Sequence, residues 1–198
     1  ELGLFVIVNT PGWQFWNDAP EFAQRVYSDI RNMVRRDRNH PCVWLWEPIL
    51  NETWYPADFA KNTCDIVDEE YPYPSCYCGS DSEARGHENF PVYFAHPMNM
   101  QDASKEIDPT KTYFTREWGD NVDDWSSHNS PSRVARNWGE QPMRVQAEHY
   151  AHPSYPVTSY DELYRQSPQH VGGCLWHSFD HQRGYHPDPF YGGLMDVF

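Results

Sequence analysis

Short apolar runs alternate along the chain with amphipathic or irregular stretches, and the alternation predicts the elements. Leu4 to Val8 is a continuous apolar run of strand length that ends in Asn9-Thr10-Pro11-Gly12, a turn signal. From Phe22 to Arg36 the apolar residues Phe22, Val26, Ile30, Met33 and Val34 recur at helical spacing, with polar residues between them. The helix they predict ends in Asp37-Arg38-Asn39-His40-Pro41, where the proline disfavours helical geometry at the residue before it. Cys42 to Trp46 is the second predicted strand, and Phe59 to Glu70 the second helix. A short strand near Ser75 to Gly79, a polar loop from Ser80 to Asn89, and strands at Pro91–Ala95 and Thr112–Thr115 follow. Two helical segments, Met143 to Tyr150 and Ser159 to Gln166, precede a last strand at Gly172–Trp176.

Strands that are apolar throughout, separated by helices or long loops, mark a parallel sheet covered on both faces. The expected class is therefore α/β. No GxGxxG or GxxxxGK[ST] follows any of these strands, so a dinucleotide or phosphate cradle has no support. A barrel whose strand ends carry the chemistry fits better. The length, 198 residues, suits one domain spanning 1–198. Aromatic residues at 16% argue against disorder, and 17 prolines against a coiled coil or simple helical bundle.

Charge narrows the partners. The net charge of −14 and a sequence pI near 5.0 disfavour nucleic acid and anionic membrane, since each phosphate would add a repulsive term. The one dense basic run, Arg35, Arg36 and Arg38, reads as a solvated helix end. No apolar stretch reaches the length of about 20 residues that a membrane-spanning helix needs. The five cysteines form no CxxC pair, and Cys76-Tyr77-Cys78 does not fit zinc spacing, so they read as small buried hydrophobes, with a disulfide as the alternative. His177, His181 and His186 lie in an Asp-, Gly- and Pro-containing loop, and neither metal nor cofactor is expected.

In a parallel barrel the site is built beyond the C-terminal ends of the strands. After the second strand comes Glu47-Pro48-Ile49-Leu50-Asn51-Glu52-Thr53-Trp54, and after the fifth Arg116-Glu117-Trp118-Gly119-Asp120. Each puts a carboxylate beside tryptophan. Two such carboxylates suit glycosidic bond cleavage: a protonated one gives its proton to the leaving oxygen, while the other attacks or stabilises the anomeric carbon. Indole rings stack on the C–H faces of sugars, and nine tryptophans are present.

Motif context adds to this. Arg36-Asp37-Arg38-Asn39-His40-Pro41 running into Trp46-Glu47-Pro48-Ile49-Leu50-Asn51-Glu52 resembles the acid/base segment of glycoside hydrolase family 2, the β-galactosidase family. Glu1-Leu2-Gly3-Leu4 with Pro11-Gly12-Trp13 is similar to that family's third barrel strand, Arg116-Glu117-Trp118-Gly119 to its seventh and Gly172-Gly173-Cys174-Leu175-Trp176 to its eighth. The resemblance implies a (β/α)8 TIM barrel, represented from about strand 3 to strand 8. It also leads us to expect that the chain is a segment of a larger multidomain protein. Glu52 would be the general acid/base and Glu117 the nucleophile of a retaining mechanism, with the two carboxyl groups about 5–5.5 Å apart. Asn51 would bind the sugar 2-hydroxyl, Trp176 would floor the subsite, and His96 would contact nucleophile and sugar. Trp13, Trp118, His177 and Asp180 would line the pocket.

The implied reaction is removal of terminal β-galactosyl units from an oligosaccharide substrate. The resemblance favours a periplasmic or secreted setting and leaves room for a homo-oligomer built through regions outside this segment. The histidine-rich run from Trp176 to Pro187 resembles members associated with agar and marine-galactan degradation. The Asn-x-Lys motif by which family glucuronidases grip a uronic carboxylate has no counterpart after Trp176, which disfavours uronides. Three alternatives stand beside this reading. One is a β-mannosidase or β-glucuronidase specificity, another a non-catalytic carbohydrate-binding barrel. The third, a Schiff-base aldolase, is disfavoured because Lys61, Lys105 and Lys111 all lie in polar or helical contexts.

Overall fold

The computed structural model describes residues 2–71, 73, 78–81, 85–94, 108–118, 168–175 and 179, with the backbone alone for 78–81, 115–118 and 175. The chain divides into two compact units, residues 1–94 with 110–112, and residues 95–109 with 113–198. The helices expected at Met143–Tyr150 and Ser159–Gln166 lie outside the described residues.

The first unit opens with β1 (Val6–Asn9), α1 (Pro20–Asp37), β2 (Val43–Glu47) and α2 (Ala57–Glu70). β1 and β2 are parallel, with Val6 opposite Val43, Ile7 opposite Leu45, Val8 opposite Trp46 and Asn9 opposite Glu47. The β-α-β order with parallel neighbours is the crossover that the apolar runs predict. α1 starts where Pro20 supplies a preset φ at the first helical position. Just before it, the Asn17 side chain accepts the Ala19 N–H at 2.8 Å. The stripe Val26, Ile30, Met33 and Val34 is buried, as its spacing requires. In α2 the buried face is Phe59, Ala60, Thr63, Cys64, Ile66, Val67 and Glu70.

Aromatic packing ties the helices to the loop above β1. Phe59 receives Trp16 at 4.9 Å between ring centroids, Tyr55 at 5.1 Å and Tyr27 at 5.4 Å. Trp16 also meets Phe22 edge-on at 5.3 Å. Phe59 and Tyr55 are fully buried, whereas Trp16, Phe22 and Tyr27 are half-buried. Full burial of a ring such as Phe59 is worth roughly 1.5–3 kcal/mol, and favourable ring geometry adds about 1 kcal/mol. This cluster holds the β1–α1 loop against the body of the unit.

The basic run is more than a solvated helix end. Arg35 forks onto Glu70 through Nε to Oε2 and Nη2 to Oε1, both at 2.8 Å, and Arg31 donates to Glu70 Oε1 at 2.7 Å. Arg38 donates to the Glu70 backbone carbonyl at 2.8 Å. Only Arg36 pairs locally, with Asp37. The reason is tertiary: α1 and α2 pack side by side, and the last turn of α2 brings a carboxylate to the arginines of α1. Hydrogen bonds from Arg35 and Arg31 hold the Glu70 carboxyl below the usual carboxylate range.

The unit continues with β3 (Cys78–Asp81), a 3₁₀ turn at His87–Asn89 and β4 (Val92–Phe94). β3 and β4 are parallel, Cys78 opposite Val92 and Asp81 opposite Phe94. Ser80, expected to begin a loop, lies inside β3, and the stretch expected to be loop up to Asn89 closes in the 3₁₀ turn. Gly86 there has φ +76, and a Cβ on it would stand 2.7 Å from Ala60 Cβ and 2.9 Å from Ala57 O. A glycine lets this turn sit directly on α2.

In the second unit β5 runs to Trp118, longer than the expected Thr112–Thr115, and pairs in parallel with β6 (His170–Leu175), Tyr113 opposite His170 and Trp118 opposite Leu175. The Asp108 N–H donates to Tyr113 Oη at 3.0 Å and Gln169 Nε2 to the Asp108 carbonyl at 2.8 Å, bracing the entry to both strands. The cysteines depart from expectation in part: Cys64 is buried, but Cys42 and Cys174 are exposed. Cys42 lies just before β2, where its carbonyl accepts the Val6 N–H at 2.8 Å while its side chain is exposed, and Cys174 lies on the exposed side of β6. Cys76 and the Cys78 side chain are outside the described residues.

Candidate active site

The loops that follow β1 and β2 run alongside each other beyond the strand ends. Buried Thr10 donates to the Glu47 carbonyl twice, through N at 3.0 Å and Oγ1 at 3.1 Å. Asn51 N then donates to Gly12 O at 3.2 Å and Gln14 N to Asn51 O at 3.0 Å, forming a parallel bridge between Trp13 and Asn51. The pairing of the two strands is thus resumed across the loops. Of the two carboxylates in the second segment, Glu47 is 2% exposed, whereas Glu52 faces solvent. Position therefore separates a core carboxylate from one that a substrate can reach.

Glu52 is held from across the loop pair. Trp13 Nε1 donates to Glu52 Oε2 at 2.9 Å, and Gln14 Nε2 to the same oxygen at 2.6 Å. Gln14 and Glu52 have φ of 51° and 46°, the left-handed region that residues with a Cβ rarely enter. Such a conformation costs of order 1 kcal/mol or more per residue and persists where surrounding contacts over-determine it. Here the surrounding contacts include the bridge, the shared oxygen and, just beyond Glu52, Thr53 Oγ1 donating to Asn51 O at 2.8 Å. The backbone alternates in burial from Glu52 to Tyr55, so Thr53 and Tyr55 anchor the segment while Glu52 and Trp54 face outward. The Arg85 guanidinium lies 5.9 Å from the Trp54 ring centroid.

Among the residues expected at the site, the structure brings Trp13, Asn51 and Glu52 together. Trp13 was expected as a pocket-lining residue, and its indole N–H is engaged by Glu52. Glu117 and Trp118 are the last two residues of β5, inside the strand and not beyond it, and their side chains are not among those described. His96, Trp176, His177 and Asp180 lie outside the described residues. Gln14 is the participant that sequence reasoning did not single out. Its signal was slight: a polar residue next to Trp13 in the loop ending the first apolar run.

A parallel β-α-β unit with a solvent-facing carboxylate just past a strand's C-terminal end defines an α/β domain with a candidate site at a strand end. The family described as Glycosyl hydrolases family 2, TIM barrel domain, matches residues 2–188, and the chain belongs to that family. The beta-galactosidase of Thermoanaerobacter pseudethanolicus is 36% identical over 67 residues, which are 34% of this chain and 9% of that protein. Bifidobacterium dentium beta-glucuronidase complexed with coumarin-3-O-glucuronide superposes with a TM-score of 0.66 at 18% identity, covering 98% of this chain and 35% of that one. The beta-galacturonidase from Eisenbergiella tayi bound to galacturonate gives a TM-score of 0.64 at 16% identity, covering 97% of this chain and 38% of that one. At these identities the structural likeness is one of fold, the TIM barrel. The chain spans little more than a third of either solved structure.

Proposed function

We propose that the protein is a retaining β-glycosidase that removes terminal β-galactosyl units from oligosaccharides, agar-derived ones included, and that this chain is its barrel from about strand 3 to strand 8. The observation that carries the reading is Glu52: it follows Asn51 just past a barrel strand, faces solvent, and is held by Trp13 and Gln14 in a left-handed turn. Membership of the family supports glycosidic hydrolysis. The galactosidase relative supports galactose as the sugar, as does the lack of an Asn-x-Lys motif after Trp176, although the solved relatives by fold include uronidases.

In this mechanism Glu117 attacks the anomeric carbon and displaces the leaving oxygen, which takes a proton from Glu52. Glu52 then removes a proton from water, and the resulting nucleophile cleaves the glycosyl ester and frees Glu117. Asn51 binds the 2-hydroxyl, Trp176 floors the sugar, and His96, Trp118, His177 and Asp180 line the pocket. The test is Glu117→Ala in the complete protein with an activated aryl β-galactoside. Hydrolysis should be abolished, and activity within about tenfold of the parent would overturn the assignment. A parallel panel of aryl β-glycosides and galactan oligosaccharides, with released ends identified, tests the sugar.

A further inference from the structure

We propose that Trp13 and Gln14 are positioning residues that fix the Glu52 carboxyl by Oε2, so that Oε1 is the atom that carries the proton to the leaving oxygen. The inference rests on the reading of Glu52 as the acid/base. Both side chains come from the loop after β1, and both donate to one oxygen, Trp13 Nε1 at 2.9 Å and Gln14 Nε2 at 2.6 Å. A carboxyl oxygen offers two lone-pair directions, and two N–H donors fill them at Oε2. The acidic hydrogen then resides on Oε1, and the carboxyl plane is set by two points of attachment.

The support behind the clamp is as complete as the clamp itself. Gln14 N donates to Asn51 O and Asn51 N to Gly12 O, so donors and acceptor sit on two backbones already bonded to each other. Gln14 and Glu52 both hold left-handed φ, and the two strained residues face each other across their hydrogen bond. Strain of this kind at paired positions suits a side chain that must be aimed.

The electron pair of the anomeric C–O bond moves to the leaving oxygen as Glu117 forms the ester bond, and the Oε1 proton passes to that oxygen, leaving Glu52 ionised. Water then gives a proton to Oε1 while its oxygen bonds to the anomeric carbon, and Glu117 departs as carboxylate. Throughout, Oε2 keeps its two donors and exchanges no proton.

The experiment uses Gln14→Met and Trp13→Phe, which remove the donors and keep much of the volume, in the complete enzyme. Substrates are aryl β-glycosides of the hydrolysed sugar, with leaving groups from 2,4-dinitrophenol to phenol. For phenyl glycosides kcat/KM should fall about 10- to 100-fold, while dinitrophenyl glycosides stay within about threefold, because only poor leaving groups need an aimed proton. Equal losses across the series, or none, overturn the proposal. Trp13→Phe carries the test if Gln14→Met does not fold. Glu52→Ala in the same series separates the two readings: if it lacks leaving-group dependence, the acid/base assignment fails; if it shows that dependence and the donor variants do not, the clamp fails.

Discussion

Gly12 lies so close to Leu50 that a Cβ on the glycine would collide with Leu50 Cδ2. Its φ of +150° is also outside the range that side-chain-bearing residues favour, and its carbonyl accepts the Asn51 N–H at 3.2 Å. A side chain at position 12 would therefore be strained in its backbone and would have to displace the Leu50 methyl where the two loops that present Glu52 approach. Gly12→Ala should cost about 1–3 kcal/mol, or roughly 2–10 °C in Tm, and reduce activity further by moving Glu52. Thermal unfolding and kcat/KM of the complete protein measure the two effects, and a variant with parental values for both would show that the loops can separate without consequence.

The acid role of Glu52 has its own signature. Glu52→Ala should lose activity steeply on glycosides with poor leaving groups and mildly on activated ones, and added azide should restore turnover on the latter. Equal loss on both kinds of substrate would argue against proton donation.

Glu70 joins α1 to α2, and its folded-state acidity sets a pH dependence. Its carboxyl is held below the ordinary value of 4.5 by Arg35 and then Arg31, so its contribution is present above that value and is lost as pH falls through the folded value. Glu70→Gln should lower Tm by about 2–4 °C at neutral pH, and the gap to the parent should narrow below pH 4.5. A gap that is constant from neutral to acid pH would show that the carboxylate charge is not what binds the helices.

Thiol reactivity should divide the cysteines. Burial, followed by the charges of Asp68 and Asp65, pushes the Cys64 thiol up to about 12, and its Sγ donates to Asn89 O at 3.7 Å. Cys42 is exposed. Iodoacetamide at mildly alkaline pH should label Cys42 in the native protein and Cys64 only after denaturation, as peptide mapping would reveal. The stabilising effect of the protonated Cys64 thiol is complete below its ordinary value of 9.0 and is lost as pH rises towards about 12. Native labelling of Cys64 at the rate of Cys42 would mean that α2 opens readily from the 3₁₀ turn.

The apolar runs at Leu4–Val8 and Cys42–Trp46, and the stripe from Val26 to Val34, were enough to determine β1, α1 and β2: burial of one helix face imposes its own period on α1, while β-branched and aromatic residues favour extended strands even in β1, which carries no fully buried residue. Motif order likewise marked Asn51 and Glu52, since residues just beyond a parallel strand are adjacent to it in sequence. Tertiary structure alone decided what lies far apart along the chain. Glu70 meets arginines that precede it by more than thirty residues, and Gln14 meets Glu52 across a separation of 38, because helix packing and strand register bring them together. Nothing local distinguishes Arg35 as a clamp from Arg35 as a solvated charge, or Gln14 as a positioning residue from an ordinary loop glutamine. Those roles arise only when α1 packs against α2, and when β1 and β2 pair in parallel and carry their loops side by side.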